Sequence, residues 1–502
     1  MGGGRSVEWR NPGSGDFAAA SIATRAVRGS FYSIGASVVT LSLGFVRAVL
    51  LARLLLPEHF GVVALAFFFV NLVGHLRTLG LGQAMVHRDE VDGGTAATYF
   101  TVQLVLLVGS LAVLLGLIPL LRRLYSTTSL LGAVLVALAV VDFLKGMNTY
   151  QETFLYRALA FRRLALADVV ASVAMTVSAP LAAWLGWGPW SLVVERASGQ
   201  MARAMVCWIA PVAPAPRLGW DRAVARWFWG FGSRVWLGAN LTFLLDRFDD
   251  FWVGTFLGRT PLGYYSRAYE FARYPRRVVA NPLTSVFFPT FAHLQHDRLR
   301  LSQAFYRVTS LMVRLDLWFG VTLVLAAPEF IRLVLGERWL PMLVTFQLML
   351  IYTFADPLTV VTGNLLMATG HPTWLARTRA IQLAVFIPAV VGLGFWLGIE
   401  GVALAADLMV VTGAVLLFAK ARRLVDYSLR AMWLWPIVAT ALVAVVTLGF
   451  TRSWEALPLG ARMLTKAAFS AGLYASLLWL VEREQLKMGW DLIKQAVGGK
   501  KA

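Results

Sequence analysis

LLARLLLPEHFGVVALA, residues 50–66, ends one apolar run, turns at Pro57 and enters a second run through Gly61. A chain reads this way where it leaves a bilayer and immediately returns to it. Outward from this point, apolar runs of about 20 residues recur from Phe31 almost to the C-terminus, each long enough to cross a hydrocarbon layer of roughly 30 Å. The whole chain of 502 residues is 58% hydrophobic and 15% charged, whereas an ordinary soluble domain carries about a quarter charged residues. Such a composition excludes a water-soluble core of this size and leaves no room for a large soluble domain. The fold class it implies is an all-α polytopic membrane protein of about 14 transmembrane helices.

The net charge of +19 would point to nucleic acid in a soluble protein. Here the basic residues fall mainly in short loops, including Arg157, Arg162 and Arg163, then Arg217, Arg222 and Arg226, then Lys420, Arg422 and Arg423. With the N-terminus inside, about 24 basic residues fall on the cytoplasmic side against about 8 outside, so both termini are expected in the cytoplasm and no nucleic-acid partner is implied. The single cysteine, Cys207, excludes a disulfide framework and any multi-thiolate metal site. No Walker-type phosphate loop is present, which excludes direct ATP drive, and no cofactor is implied.

The opening stretch has a partner. At an offset of about 202 residues, WVGTFLGRTPLGYYSRA from Trp252 aligns with it, setting Ala52 against Gly254, Phe60 against Leu262 and Gly61 against Gly263. Each stretch ends a helix, turns at or near a proline and enters the next helix through glycine. A duplicated, two-lobed bundle follows, of the kind used by many transporters. The expected division is a cytoplasmic tail at 1–28, an N-terminal lobe at 29–212, a cytoplasmic loop at 213–228, a C-terminal lobe at 229–421, two extra helices at 422–482 and a cytoplasmic tail at 483–502. Among the expected spans are 188–211, 232–257 and 264–293. Pro275, Pro282 and Pro289 punctuate the last of these and predict a kinked helix.

The run ARLLLPEHFGVVALA, the following LRTLGLGQAMVHRDE from Leu76, and LGYYSRAYEFARYPRRVVANPLTSVFFPTFAHLQHD from Leu262 resemble the Wzx-like polysaccharide repeat-unit exporters. These form the polysaccharide branch of the multidrug/oligosaccharidyl-lipid/polysaccharide exporter superfamily. The resemblance spans roughly residues 25–425. It implies two pseudo-symmetric six-helix lobes around a central cavity, often with two further C-terminal helices. It further implies a non-enzymatic flippase of the bacterial inner membrane that moves an undecaprenyl-pyrophosphate-linked oligosaccharide for lipopolysaccharide, capsule or exopolysaccharide. Polymerases and glycosyltransferases are then candidate partners. The competing classes are a membrane-embedded polymerase, ligase or prenyltransferase, which the short loops disfavour, and a related exporter of drugs or of the peptidoglycan precursor.

The family shares no sharp site motif, so candidate residues come from the cost of ionised side chains in a bilayer, which puts them against a cavity or a partner. Asp246, Asp249 and Asp250 fall at i, i+3 and i+4 on one helical face, suited to proton or sodium coupling. The repeat sets Arg47 opposite Asp249, so an ion pair across the cavity is expected, one that an incoming pyrophosphate would contest. Arg77, Lys145, Arg203, Arg234, Arg273 and Arg314 are the other cavity candidates. Each has a structural alternative. Asp249 and Asp250 can sit solvated near a helix end or pair with Arg259. Arg273 can snorkel to the head groups. The spacings of Asp142 with Lys145 and of Arg314 with Asp316 favour local pairing. The run Asp246–Asp250 also resembles a magnesium-diphosphate motif, but the second acidic motif such an enzyme needs is missing from the sequence. His293 and His296 lack a further ligand cluster.

Overall fold

The computed structural model describes residues 16–485 apart from Leu79, Asp89, 126–128 and 278–280. The terminal stretches 1–15 and 486–502, and a few helical side chains such as that of Arg234, lie outside what it describes. Every regular element among the described residues is helical. In chain order these are α1 (Asp16–Leu54), α2 (Pro57–Arg77), α3 (Leu81–His87), α4 (Gly93–Leu124), α5 (Ser129–Arg157), α6 (Phe161–Trp184), α7 (Trp190–Trp208) and α8 (Arg222–Trp252). They are followed by α9 (Arg259–Pro275), α10 (Asn281–Leu294), α11 (Arg298–Phe330), α12 (Leu343–Ala368), α13 (Pro372–Leu397), α14 (Ile399–Ala421), α15 (Leu429–Phe450) and α16 (Leu459–Val481). Several begin on a side chain that captures free backbone N–H groups, as when Asp92 accepts from the Thr95 N–H at 2.8 Å and Asp221 from Ala223 and Val224.

Among the described residues, eleven helices are long and apolar enough to cross a membrane. The most apolar stretch of α4 has a mean hydropathy of 2.8, yet only 22% of it is buried within the protein. An apolar surface left outside to that extent belongs against lipid. The remaining three expected spans correspond to α7, α8 and the α9–α10 pair, which carry the charges that lower their hydropathy. Within the expected kinked span at 264–293, the described residues form α9 up to Pro275 and α10 from Asn281, with 278–280 outside the described residues. The expected N-terminal tail at 1–28 is helical from Asp16 onward, where α1 extends past its apolar part Tyr32–Leu54.

The described chain forms two compact units, one up to Gly263 and one from Tyr264. In the first unit α8 packs against α2, α3 and α4. The two turns aligned by the repeat also meet, and they do so reciprocally. A Cβ placed on Gly61 would lie 1.7 Å from the Arg259 carbonyl oxygen, and one on Gly263 would lie 1.8 Å from that of Pro57. Arg259 is the repeat counterpart of Pro57, as Gly263 is of Gly61, so each turn presents a bare glycine to the other's backbone. Arg259 and Glu58 add an ion pair at 3.6 Å.

In the second unit α11 packs against α12, α15 and α16. It carries three buried ionisable side chains, Arg314, Asp316 and Glu329, and α16 with the residue just after it answers the first and the last. Arg314 pairs with Glu482 at 2.8 Å and Glu329 with Lys466 at 2.7 Å, all four side chains at most 7% exposed. The two positions on α11 lie roughly 22 Å apart along the helix. A buried charge of either sign is costly alone, so this complementarity fixes the α11–α16 register.

Candidate functional site

The first unit carries an open cavity of about 290 Å³ whose lining includes Arg47 from α1, Asp168 from α6, and Arg196, Gln200 and Arg203 from α7. Small residues make room for it: Ala171 and Ser172 on α6 and Gly199 on α7 lie along the same wall. A Cβ at Gly199 would come within 2.8 Å of Met175, so the α6–α7 approach depends on that glycine.

Each cation but one is already answered. Arg47 Nε lies 3.0 Å from Glu195 Oε1, and its Nη1 donates to the Thr176 hydroxyl at 3.3 Å. Arg203 donates to both Glu152 on α5 and Asp168 on α6. Arg196 has no carboxylate partner among the described residues; its guanidinium lies over the Phe67 ring, 4.8 Å from the centroid. The six charged groups therefore balance, three arginines against three carboxylates. They sit among apolar helices where imbalance is expensive.

The sequence candidates disperse around this arrangement. Arg47 and Arg203 come together on one cavity. Arg47, expected opposite Asp249, is held by Glu195. Arg77 donates to Asp142 at 2.7 Å and to Ser110 at 2.9 Å, beside a smaller cavity of about 100 Å³ lined by Tyr99, Gln103 and Thr149. Asp142 is thereby taken by Arg77 and not by Lys145, which is exposed. On α8, Asp249 and Asp250 are buried while Asp246 is exposed, so the face of three carboxylates is split. Arg247 reaches Asp250 at 2.8 Å, and Asp249 accepts from the Asp250 N–H at 2.9 Å. Arg234 lies on α8, with its side chain outside those described.

Two candidates belong to the second unit. Arg273 lies over the Tyr269 ring at 5.0 Å. Arg314 is bound to Glu482, Gln485 and the Ser310 carbonyl, not to Asp316, because residues two apart on a helix point in different directions. With each of its three guanidinium nitrogens engaged inside the bundle, Arg314 reads as a structural clamp. Cys207 is fully buried against Leu155, Leu164 and Ala167, as a packing residue.

Sequence reasoning missed Glu195, Arg196, Glu152 and Asp168. The signal was present, since each is an ionisable residue in or beside an apolar run. Their convergence was not, because it joins α1, α5, α6 and α7. It also missed Asp407 on α14, which is 7% exposed.

Residues 50–344 match the family model described as "Polysaccharide biosynthesis protein". The chain is 28% identical over 432 residues to the succinoglycan biosynthesis transport protein ExoT of Rhizobium meliloti, covering 82% of this chain and 77% of that one. It is 26% identical over 412 residues to the lipopolysaccharide biosynthesis protein WzxC of Escherichia coli K12, covering 79% and 80%. Among solved structures, the inward closed form of the lipid II flippase MurJ superposes with a TM-score of 0.71 at 11% identity, over 92% of this chain and all of that one. An inward-facing multidrug transporter of the MATE family gives 0.60 at 14%, over 77% and 98%. At these identities the structural likenesses establish the fold.

Proposed function

We infer what this chain moves from the premise that it belongs to the family of polysaccharide biosynthesis proteins. It is a multi-pass membrane protein of the transporter type, with the fold of MurJ and the MATE transporters. Its cargo, on our reading, is an undecaprenyl-pyrophosphate-linked oligosaccharide repeat unit. The protein flips it across the bacterial inner membrane, without covalent chemistry, for assembly into a surface or exported polysaccharide. Both termini then lie in the cytoplasm, as the basic loops favour. A polymerase and glycosyltransferases stand as the partners that consume and supply the unit.

The observation that carries this reading is the convergence of Arg47, Arg196 and Arg203 on one cavity within a membrane-embedded unit. Guanidinium groups grip diphosphate oxygens through paired hydrogen bonds. Arg196 is the first anchor, because engaging it breaks no ion pair. The buried carboxylates Asp249 and Asp250, with Asp246, are proposed as a separate proton- or sodium-responsive element on α8.

The test follows the lipid-linked unit in cells lacking this protein, using a sugar-specific probe with and without permeabilising the inner membrane. The expected result is accumulation on the cytoplasmic face only, reversed by the wild-type gene and not by Arg196→Gln. Unpolymerised units reaching the periplasmic face without the protein would overturn the flippase reading and favour a polymerase or ligase.

A further inference from the structure

The second unit gathers unmatched charge at one end of its α13–α14 pair. Where α13 begins and α14 ends, the stretches 371–379 and 420–430 hold Arg377, Arg379, Lys420, Arg422, Arg423 and Arg430 against a single carboxylate, Asp426. That carboxylate is engaged by Arg298 at 2.9 Å. The two helices are joined through Gly398 and pack side by side, so the positive field at the start of α13 and the negative field at the end of α14 offset each other. The side chains set the sign here, and it is positive.

Two of these cations converge. Lys420 Nζ lies 5.5 Å, and the Arg423 guanidinium 5.9 Å, from the centroid of the same Trp374 ring. His371 packs on that ring at 4.3 Å between centroids and holds the indole in place. Neither cation has a carboxylate partner among the described residues. Cations at the end of a membrane helix normally spread into the head-group layer, and a cation–π contact outside a desolvated core is weak. Two like charges drawn onto one indole are best stabilised by an anion shared between them.

The surface leading away from this cluster is apolar and turned outward. On α14, Leu404, Leu408, Val411 and Val415 are exposed at spacings of four, three and four, which is one helical face. The next step along that face falls at Arg422, just past the end of the helix. On α13, Ile381, Val391 and Phe395 are exposed on the face headed by Arg377. Two neighbouring outward faces that end together in basic residues match a molecule with acyl chains and an acidic head. A zwitterionic head fits poorly, since its ammonium group adds a cation to cations already unmatched.

We propose that the start of α13 and the end of α14 form a binding site for an anionic phospholipid. Its phosphate lies between Lys420 and Arg423 beside Trp374, and its acyl chains run along the exposed faces of the two helices. Arg377 and Arg422, at the heads of those faces, flank the phosphate. The site stands whether or not the first-unit cavity takes a diphosphate.

Native mass spectrometry of the full chain released from detergent micelles resolves single bound lipids, titrated as phosphatidylglycerol or phosphatidylcholine of identical acyl chains. The wild type is expected to bind its first phosphatidylglycerol at least ~5-fold more tightly than phosphatidylcholine. Lys420→Gln combined with Arg423→Gln should weaken phosphatidylglycerol by about 5-fold per cation removed and leave phosphatidylcholine unchanged. Lys420→Arg combined with Arg423→Lys keeps both charges and should keep the preference, as should Arg452→Gln on the α15–α16 turn. Glycerophosphoglycerol, the same head without tails, should not displace the lipid. Equal phosphatidylglycerol affinity in the wild type and the double glutamine variant would overturn the proposal. Displacement by glycerophosphoglycerol would overturn it in favour of a soluble phosphate ester. Loss of poly-glutamate binding in the double glutamine variant, with phosphatidylglycerol binding unchanged, would overturn it in favour of an acidic protein segment.

Discussion

Replacing Gly61 by alanine tests the interlock of the two matched turns. The added Cβ would stand 1.7 Å from the Arg259 carbonyl oxygen, and contacts under 3.0 Å essentially never occur. The two must therefore separate by at least about 1.3 Å. No rotamer change relieves the contact, since the obstacle is backbone at the first residue of α9 and Gly61 is itself inside α2. Overpacking of this kind costs about 1–3 kcal/mol, and a purely backbone clash belongs at the upper end. Gly263→Ala, at 1.8 Å from the Pro57 carbonyl oxygen, should cost nearly the same. Once the turns have parted for one methyl group the second is partly accommodated, so the double variant should lose about 0.5–3 kcal/mol less than the sum of the singles. Thermal unfolding of the purified protein in detergent provides the measurement. Each single variant should melt at least about 2 °C below wild type, while the control Gly35→Ala, whose Cβ meets nothing within 4 Å, should not. Single variants melting with the wild type, or a strictly additive double variant, would refute the reciprocal packing.

The buried Lys466–Glu329 pair sets a second expectation. Lys466→Met should destabilise the protein by about 3–5 kcal/mol by stranding Glu329, whereas Lys466→Met combined with Glu329→Gln should recover most of that loss in the same melt. Asp407, 7% exposed and without an ion-pair partner among the described residues, predicts the opposite sign: Asp407→Leu should raise the melting temperature, reflecting about 1–3 kcal/mol of relieved desolvation. Hydrogen bonds from the Thr95 side chain and backbone N–H hold the Asp92 carboxyl below its ordinary value of 3.8. Its capping of α4 is therefore complete at neutral pH and is lost as pH falls through that lowered value. Asp92→Asn should remove this acid sensitivity yet keep most of the cap, and Asp92→Ala should cost about 1 kcal/mol at neutral pH and less as the wild-type carboxyl protonates, both read from melts between pH 3 and pH 7.

The sequence by itself determined that this is a helical membrane protein, how its spans are spaced and which family it resembles. These are local or additive properties: a run of apolar residues must bury itself in lipid wherever it lies, and a proline near a glycine turns the chain whatever its neighbours. The matched turns at 50–66 and 252–268 were legible for the same reason. That they face each other glycine to carbonyl was not, because contacts between residues about 202 positions apart depend on how α2, α8 and α9 pack. The site divides the same way. Apolar context marked Arg47, Arg77 and Arg203 as costly charges needing partners, but which partner each takes is decided by helix rotation and crossing. So Arg47 meets Glu195, Arg77 takes Asp142 from Lys145, and Arg314 passes over Asp316 for Glu482. Only tertiary structure decided that three arginines and Asp168 line one cavity, with Glu195 and Glu152 paired to two of them, since electrostatic balance belongs to a volume and not to a stretch of chain.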